Sequence, residues 1–283
     1  MLADLAPQFA FEYDDTTAGS ANITTVGTGI AATASGSTNT KGSWAQVVSA
    51  TDRDWYGFWI SFSAAVSPSG LNAAQLVDVG IGAAGSETVV VSNILAGGRF
   101  PLTGTTISLN DPPMYIPIAI PKGTRVAVRT QSATASRVCR VHMWGESGSS
   151  TPRPIYSGCD TYGIDLSTSK GVELASNASA NTFGSWTNVG GTTSRNYQAI
   201  LASSQVPANA TVNNRTYVIQ LGYGSAAYIQ MLAGTTTTET WAVAIPAQYV
   251  GQNIPSGTQL QARISCNTAA NADLPSVAFH CFY

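Results

Sequence analysis

The phrase Asn39-Thr40-Lys41-Gly42-Ser43-Trp44 returns as Asn181-Thr182-Phe183-Gly184-Ser185-Trp186, so the chain must fold as two copies of one unit. The spacing from Trp44 to Trp186 is 142, and the same offset matches Gly29 to Gly171, Arg53 to Arg195, Trp55 to Tyr197 and Gly80 to Gly222. Further along, Ile120-Pro121-Lys122-Gly123-Thr124 answers to Ile254-Pro255-Ser256-Gly257-Thr258 at an offset of 134, which also matches Arg129 to Arg263. The closing segments Val141-His142-Met143-Trp144 and Phe279-His280-Cys281-Phe282 match at 138. A period this long makes each copy a domain rather than one turn of a solenoid, whose repeats run to roughly 20 to 50 residues.

Each half of the 283 residues is large enough to bury its own core. The pattern inside each half is short and apolar, with Gly and Pro punctuation such as Ser67-Pro68-Ser69-Gly70 and Asn110-Asp111-Pro112-Pro113, which reads as strands separated by turns. In the first copy the expected strands are 55–62, 76–79, 88–94, 115–120, 124–129 and 137–144. No stretch carries a helical period beyond two turns. The expected fold is all-β: two tandem β-sandwich, jelly-roll-like domains related by internal duplication. Residues 1–27 are read as an N-terminal arm, 28–147 as the first domain, 148–165 as a Gly/Ser/Pro linker and 166–283 as the second domain.

Only 10% of residues are charged and the formal net charge is -2, well under the ~25% charged share of an average soluble protein. Thirteen scattered Lys and Arg give no basic stripe for phosphates, so nucleic acid is not an expected partner. The first residues have no basic region followed by an apolar one, and no apolar run reaches the ~18 residues of a membrane span. A soluble product made in a cytoplasm, with no membrane partner, is expected.

Alternation along the Trp55 strand places Trp55, Gly57 and Trp59 on one face, and their counterparts Tyr197, Ala199 and Leu201 are apolar too. That face is the expected core. The opposite face, Tyr56, Phe58, Ile60 and Phe62, answers to the more polar Gln198, Ile200, Ala202 and Ser204. These four are the candidate interface residues, covered by a partner subunit or else by a loop or the N-terminal arm.

Several motifs imitate chemistry. Gly80-Ile81-Gly82-Ala83-Ala84-Gly85 fits a dinucleotide fingerprint, but a β-branched run follows it where that fingerprint needs a helix. A strand-to-strand turn is expected. Ser167-Thr168-Ser169-Lys170 fits Ser-x-x-Lys without its companion motifs. His142 and His280 stand one per copy and read as structural. Asp52-Arg53-Asp54 becomes Ser194-Arg195-Asn196 in the second copy, which argues against a calcium loop. Arg53, Arg195, Arg129 and Arg263 are the charges that recur, and each reads as a strand-end bond to a carbonyl or an Asp.

Cys139, Cys159, Cys266 and Cys281 lack metal-ligand spacing and read as buried thiols, with a Cys159–Cys266 bridge as the alternative. The sequons at Asn22, Asn177 and Asn209 follow from the abundance of Asn, Ser and Thr. The expectation is therefore no catalytic residue, no metal and no cofactor.

The segment Asp78-Val79-Gly80-Ile81-Gly82-Ala83-Ala84-Gly85-Ser86-Glu87, with Tyr115-Ile116-Pro117-Ile118-Ala119-Ile120-Pro121-Lys122-Gly123-Thr124-Arg125 and Arg129-Thr130-Gln131-Ser132, resembles a unit of tailed-bacteriophage structural proteins. The resemblance covers most of 29–147 and, more weakly, 171–283. There Tyr217-Val218-Ile219-Gln220-Leu221-Gly222-Tyr223-Gly224 lacks the Asp, the third Gly and the Glu. It implies a virion component and no catalytic residue. Few charges, Thr/Ser/Asn-rich faces, closed β domains and an extended arm then suit a non-enzymatic capsid-decoration, head-fibre or tail-associated protein that contacts other virion proteins and forms homo-oligomers. The alternative is a carbohydrate- or host-receptor-binding module, for which Trp144, Trp186, Tyr223, Tyr228 and Trp241 offer rings to a host-surface glycan.

Overall fold

The computed structural model describes residues 29–64, 74–96, 113–147, 154–205, 216–224, 227–235, 248–268 and 275–283. The expected arm 1–27, the turns at 67–70 and 110–112, the sequons at Asn22 and Asn209 and the ring of Trp241 lie outside the described residues. So does the side chain of Tyr228.

The first copy contributes β1 (Ile30–Thr33), β2 (Ala45–Val48), β3 (Gly57–Ala64), β4 (Gln75–Ile81), β5 (Thr88–Ala96), β6 (Met114–Ile116), β7 (Val126–Ser132) and β8 (Val138–Glu146). Then come β9 (Cys159–Tyr162) and β10 (Ile164–Asp165). The second copy contributes β11 (Lys170–Glu173), β12 (Thr187–Thr192), β13 (Tyr197–Gln205), β14 (Thr216–Tyr223), β15 (Ala227–Thr235), β16 (Gln248–Ile254), β17 (Gln259–Cys266) and β18 (Ser276–Phe282). No helix occurs among the described residues.

In the first copy the sheets run β1-β8-β3-β6 and β2-β7-β4-β5; in the second, β11-β18-β13-β16, extended by β10 beside β11 and β9 beside β18, and β12-β17-β14-β15. The two orders are the same once ten is added to each strand number. The eight strands common to the copies form two facing sheets in the order of a jelly roll, so the chain is one jelly roll written twice, with β9 and β10 added to the second.

The repeated phrase forms the corner where the chain crosses from one sheet to the other. Asn39 and Asn181 take left-handed φ values of 54° and 57°, a conformation asparagine tolerates better than most residues. Their amides bond Ser132 O and Cys266 O at 2.7 and 2.6 Å. Gly42 and Gly184 then donate to Thr130 O and Ile264 O at 2.8 and 2.9 Å. A Cβ on either glycine would sit 1.8 Å from Thr33 O or 2.2 Å from Ala175 O. The corner therefore requires glycine in both copies.

Each copy has its own core. Between the first pair of sheets lie Trp55, Phe58, Ile60, Phe62, Val77, Val79, Ile94, Val141 and Met143; between the second lie Tyr197, Ile200, Tyr217, Ile219, Leu260, Ile264 and Phe279. The halves also pack on each other. Ala199, Leu201 and Phe282 join the first copy's core cluster, while Leu76 and Leu95 meet Ala278 and Ile164. Polar bonds frame this contact: Gln131 Nε2 donates to Leu166 O and Ser169 Oγ, both at 3.0 Å, and Gln205 Nε2 donates to Ala96 O at 2.7 Å.

Within the stretch 148–165, Cys159–Tyr162 is a strand, β9, paired along β18. Gly, Ser and Pro content marks its first part as connection, but Cys159 and Tyr162 pack against the two cores. That burial holds the segment extended against the sheet edge.

Candidate functional site

The sequence-derived interface is corrected by the structure. Phe58, Ile60 and Phe62 are at most 2% exposed and fill the first core, and Tyr56, half-buried, precedes β3. The other side of β3 carries Gly57 and Trp59, where Trp59 and Tyr115 lie 5.2 Å apart. The face shared by Ala199 and Leu201 is apolar because it is buried against the first half. Of the expected core face, Trp55 and Tyr197 do lie in their own cores, whereas Ala199 and Leu201 are apolar because they meet the first half.

The histidine alignment shifts as well. Ile30 pairs Val141 and its counterpart Val172 pairs Val277; Phe58 pairs Gly145 and its counterpart Ile200 pairs Cys281. Both neighbours give an offset of 136 for β8 and β18, against the 138 read from the sequence. His142 thus stands where the second copy has Ala278, and His280 where the first has Trp144. A slip of two keeps the same face, so both side chains leave the core, but at different places.

His280 lies sealed between the halves at 0% exposure. The Thr161 hydroxyl donates to Ser92 O at 2.8 Å, so it accepts from His280 Nδ1 at 3.1 Å, and Nε2 accepts from the Ser203 hydroxyl at 3.0 Å. Burial lowers the His280 pKa to about 4. The unfolded chain, with a histidine pKa near 6.5, then binds more protons than the folded one between about pH 6.5 and 4. Stability should fall as pH drops through that window, by an amount on the order of 3 kcal/mol from this group. Denaturant unfolding at pH 7 and pH 4.5 measures it, and His280→Gln should flatten part of the slope.

The remaining motifs are structural. Gly82 and Gly85, with φ of 117° and 83°, turn the hairpin between β4 and β5; no helix follows them. Ser167 Oγ donates to Asp165 at 2.6 Å, and this bond leads those that hold the Asp165 carboxyl below its ordinary pKa. Lys170 pairs with Glu173 at 2.8 Å. Arg53 pairs with Asp52, and Arg195 with Asp160. Asp160 also accepts from the Tyr197 hydroxyl at 2.6 Å, and desolvation, reinforced by that bond, raises the Tyr197 pKa. All four cysteines are free thiols, which excludes the Cys159–Cys266 bridge, and burial raises the pKa of Cys159 and of Cys281. Among the described residues no group of three or more His, Cys, Asp or Glu side chains gathers to hold a metal ion.

One arrangement recurs on the outer face of the inner strands of each half. In the first copy, the Arg129 guanidinium lies 4.5 Å over the Trp44 ring, which itself crosses Gly80 so closely that a Cβ there would meet it at 2.6 Å. Arg129 Nε donates to Asp78 at 2.9 Å, and Lys41 reaches the other carboxylate oxygen at 2.7 Å. Burial lowers the Lys41 pKa, with the Asp78 charge opposing. In the second copy Arg263 lies 4.5 Å over Trp186 and 4.8 Å over Phe183, and its Nε donates to Gln220 Oε1 at 2.7 Å. Asp78 has become Gln220 and Lys41 has become Phe183. Trp44 and Arg129 in the first platform, like Phe183, Trp186 and Arg263 in the second, are half-buried. Sequence reading singled out Trp186 and Arg263 separately; the matched offsets of 142 and 134 were the signal that could have joined them.

These features define a protein class: a tandem of two jelly rolls fused through the outer face of one sheet from each. No family model matches the chain, and no curated protein does. Among solved structures it is similar to PNGase F, a glycosylasparaginase from Flavobacterium meningosepticum, at 11% identity and a TM-score of 0.38, with 97% of this chain and 94% of that chain covered.

Proposed function

We propose that the chain is a non-enzymatic structural component of a tailed-phage virion, a capsid-decoration, head-fibre or tail-associated protein that acts through contacts between β-sandwich faces. One observation carries this reading: the residues of the phage-like segments are those that build the fold. Asp78 sits 3% exposed between Lys41 and Arg129. Gly82 and Gly85 turn a hairpin, Glu87 holds Arg125 at 2.7 Å, and Gly123 turns the link into β7 with φ of 78°. Sheets fused face to face in one chain also use the kind of contact through which subunits assemble in symmetric particles.

The test mixes purified protein with phage particles lacking it and measures co-sedimentation. Saturable binding at a fixed copy number per particle supports the reading; no binding to any particle form overturns it. A second reading, recognition of a host-surface carbohydrate, is favoured by the half-buried Trp186, Phe183 and Arg263 on the second copy.

A further inference from the structure

The two platforms differ at two positions: the second has lost both Lys41, replaced by Phe183, and the acid Asp78, replaced by Gln220. Both keep a tryptophan and an arginine stacked at 4.5 Å, on sheet positions equivalent by strand order. In the first copy the arginine has an acid of its own, Asp78, at 2.9 Å. In the second, the paired position across the strands is Gln220, whose neutral oxygen takes only Nε. Among the described residues no carboxylate pairs with Arg263. A guanidinium offers five donors in a planar fork suited to a carboxylate, and here it is held by two rings rather than by a charge.

We infer that this face binds a carboxylate-bearing sugar, the acid that the first copy supplies internally being supplied in the second by the ligand. The carboxylate takes the outer edge of the Arg263 guanidinium. The pyranose ring lies against Trp186 or Phe183, since aromatic faces accept the apolar C–H side of a sugar. Gln261, which donates to Asn188 at 2.9 Å beside the platform, adds exposed amide groups for hydroxyls. Rings flanking the cation favour a sugar over an acidic peptide, which needs the charge but not the stacking surfaces. The inference rests on the difference between the two copies and holds whether or not the chain belongs to a virion.

The experiment is titration of the full chain, followed by tryptophan fluorescence and calorimetry, with a glucuronate-terminated oligosaccharide, a sialic-acid-terminated one, their neutral counterparts and polyglutamate. Binding of one or both acidic sugars at least about tenfold tighter than the neutral forms is expected, and which one binds identifies the source. Gln220→Asp restores the first copy's internal acid and should weaken that binding about tenfold or more while leaving the thermal unfolding midpoint within a few degrees. Phe183→Ala removes one stacking surface without adding a charge and should also weaken it. Equal affinity for acidic and neutral sugars, binding of polyglutamate alone, no binding, or binding untouched by both variants overturns the assignment. The sedimentation test with particles has a separate readout, so the two proposals fail independently.

Discussion

Replacing Asp78 with Asn should be among the most damaging single changes in the first half, costing about 3 to 5 kcal/mol, the range for removing one partner of a buried ion pair. The carboxylate is 3% exposed and neutralises Lys41 at 2.7 Å and Arg129 at 2.9 Å. It also accepts the Asn93 amide at 2.9 Å, where φ is 56° at a break in the β4–β5 register. Without it two half-buried cations remain side by side with no counter-charge. The second copy indicates the compensation. Lys41→Phe combined with Asp78→Gln removes one cation along with the acid, so the double variant should be more stable than Asp78→Asn alone. Urea unfolding of the three proteins gives the comparison; a cost under about 1 kcal/mol for Asp78→Asn would mean that the pair is solvated.

The second large effect belongs to the repeated corner. Gly42→Ala puts a methyl carbon 1.8 Å from Thr33 O, a backbone atom with no freedom to rotate away. The cost should be at least about 3 kcal/mol, the top of the usual range for overpacking. That corresponds to a fall of at least about 6 °C in the unfolding midpoint of a domain of this size. Gly184→Ala should act the same way on the second half, through Ala175 O at 2.2 Å. Gly36→Ala is the control, since a Cβ there meets nothing within 4 Å and its φ is not positive; its midpoint should barely move.

The duplication was legible because both copies keep the glycine, asparagine and tryptophan that the corner demands for close approach, left-handed backbone and a ring over Gly80; that the phrase is a corner was not. The all-β fold was legible for the same kind of reason, as turn residues punctuate short apolar runs. Which face of β3 is core was not legible. Comparing copies assumes that equivalent faces meet equivalent surroundings, yet the outer face of β13 is buried by the first half, whereas in the first copy Trp59 on the outer face of β3 lies beside Tyr115. The short strands Ile30–Thr33 and Ala45–Val48 were also missed, being only four residues each and partly polar. The platform could not be found from spacing alone, because Arg263, Gln220 and Trp186 come from three segments that only the sheet brings together.

The most direct measurement is high-resolution imaging of purified phage particles made by a host that expresses this chain, together with mass-spectrometric copy number. The account predicts density for paired eight-stranded jelly rolls at symmetry-related sites, in a stoichiometry fixed by that symmetry. Intact particles without the chain, while the protein remains free in the lysate, would contradict it.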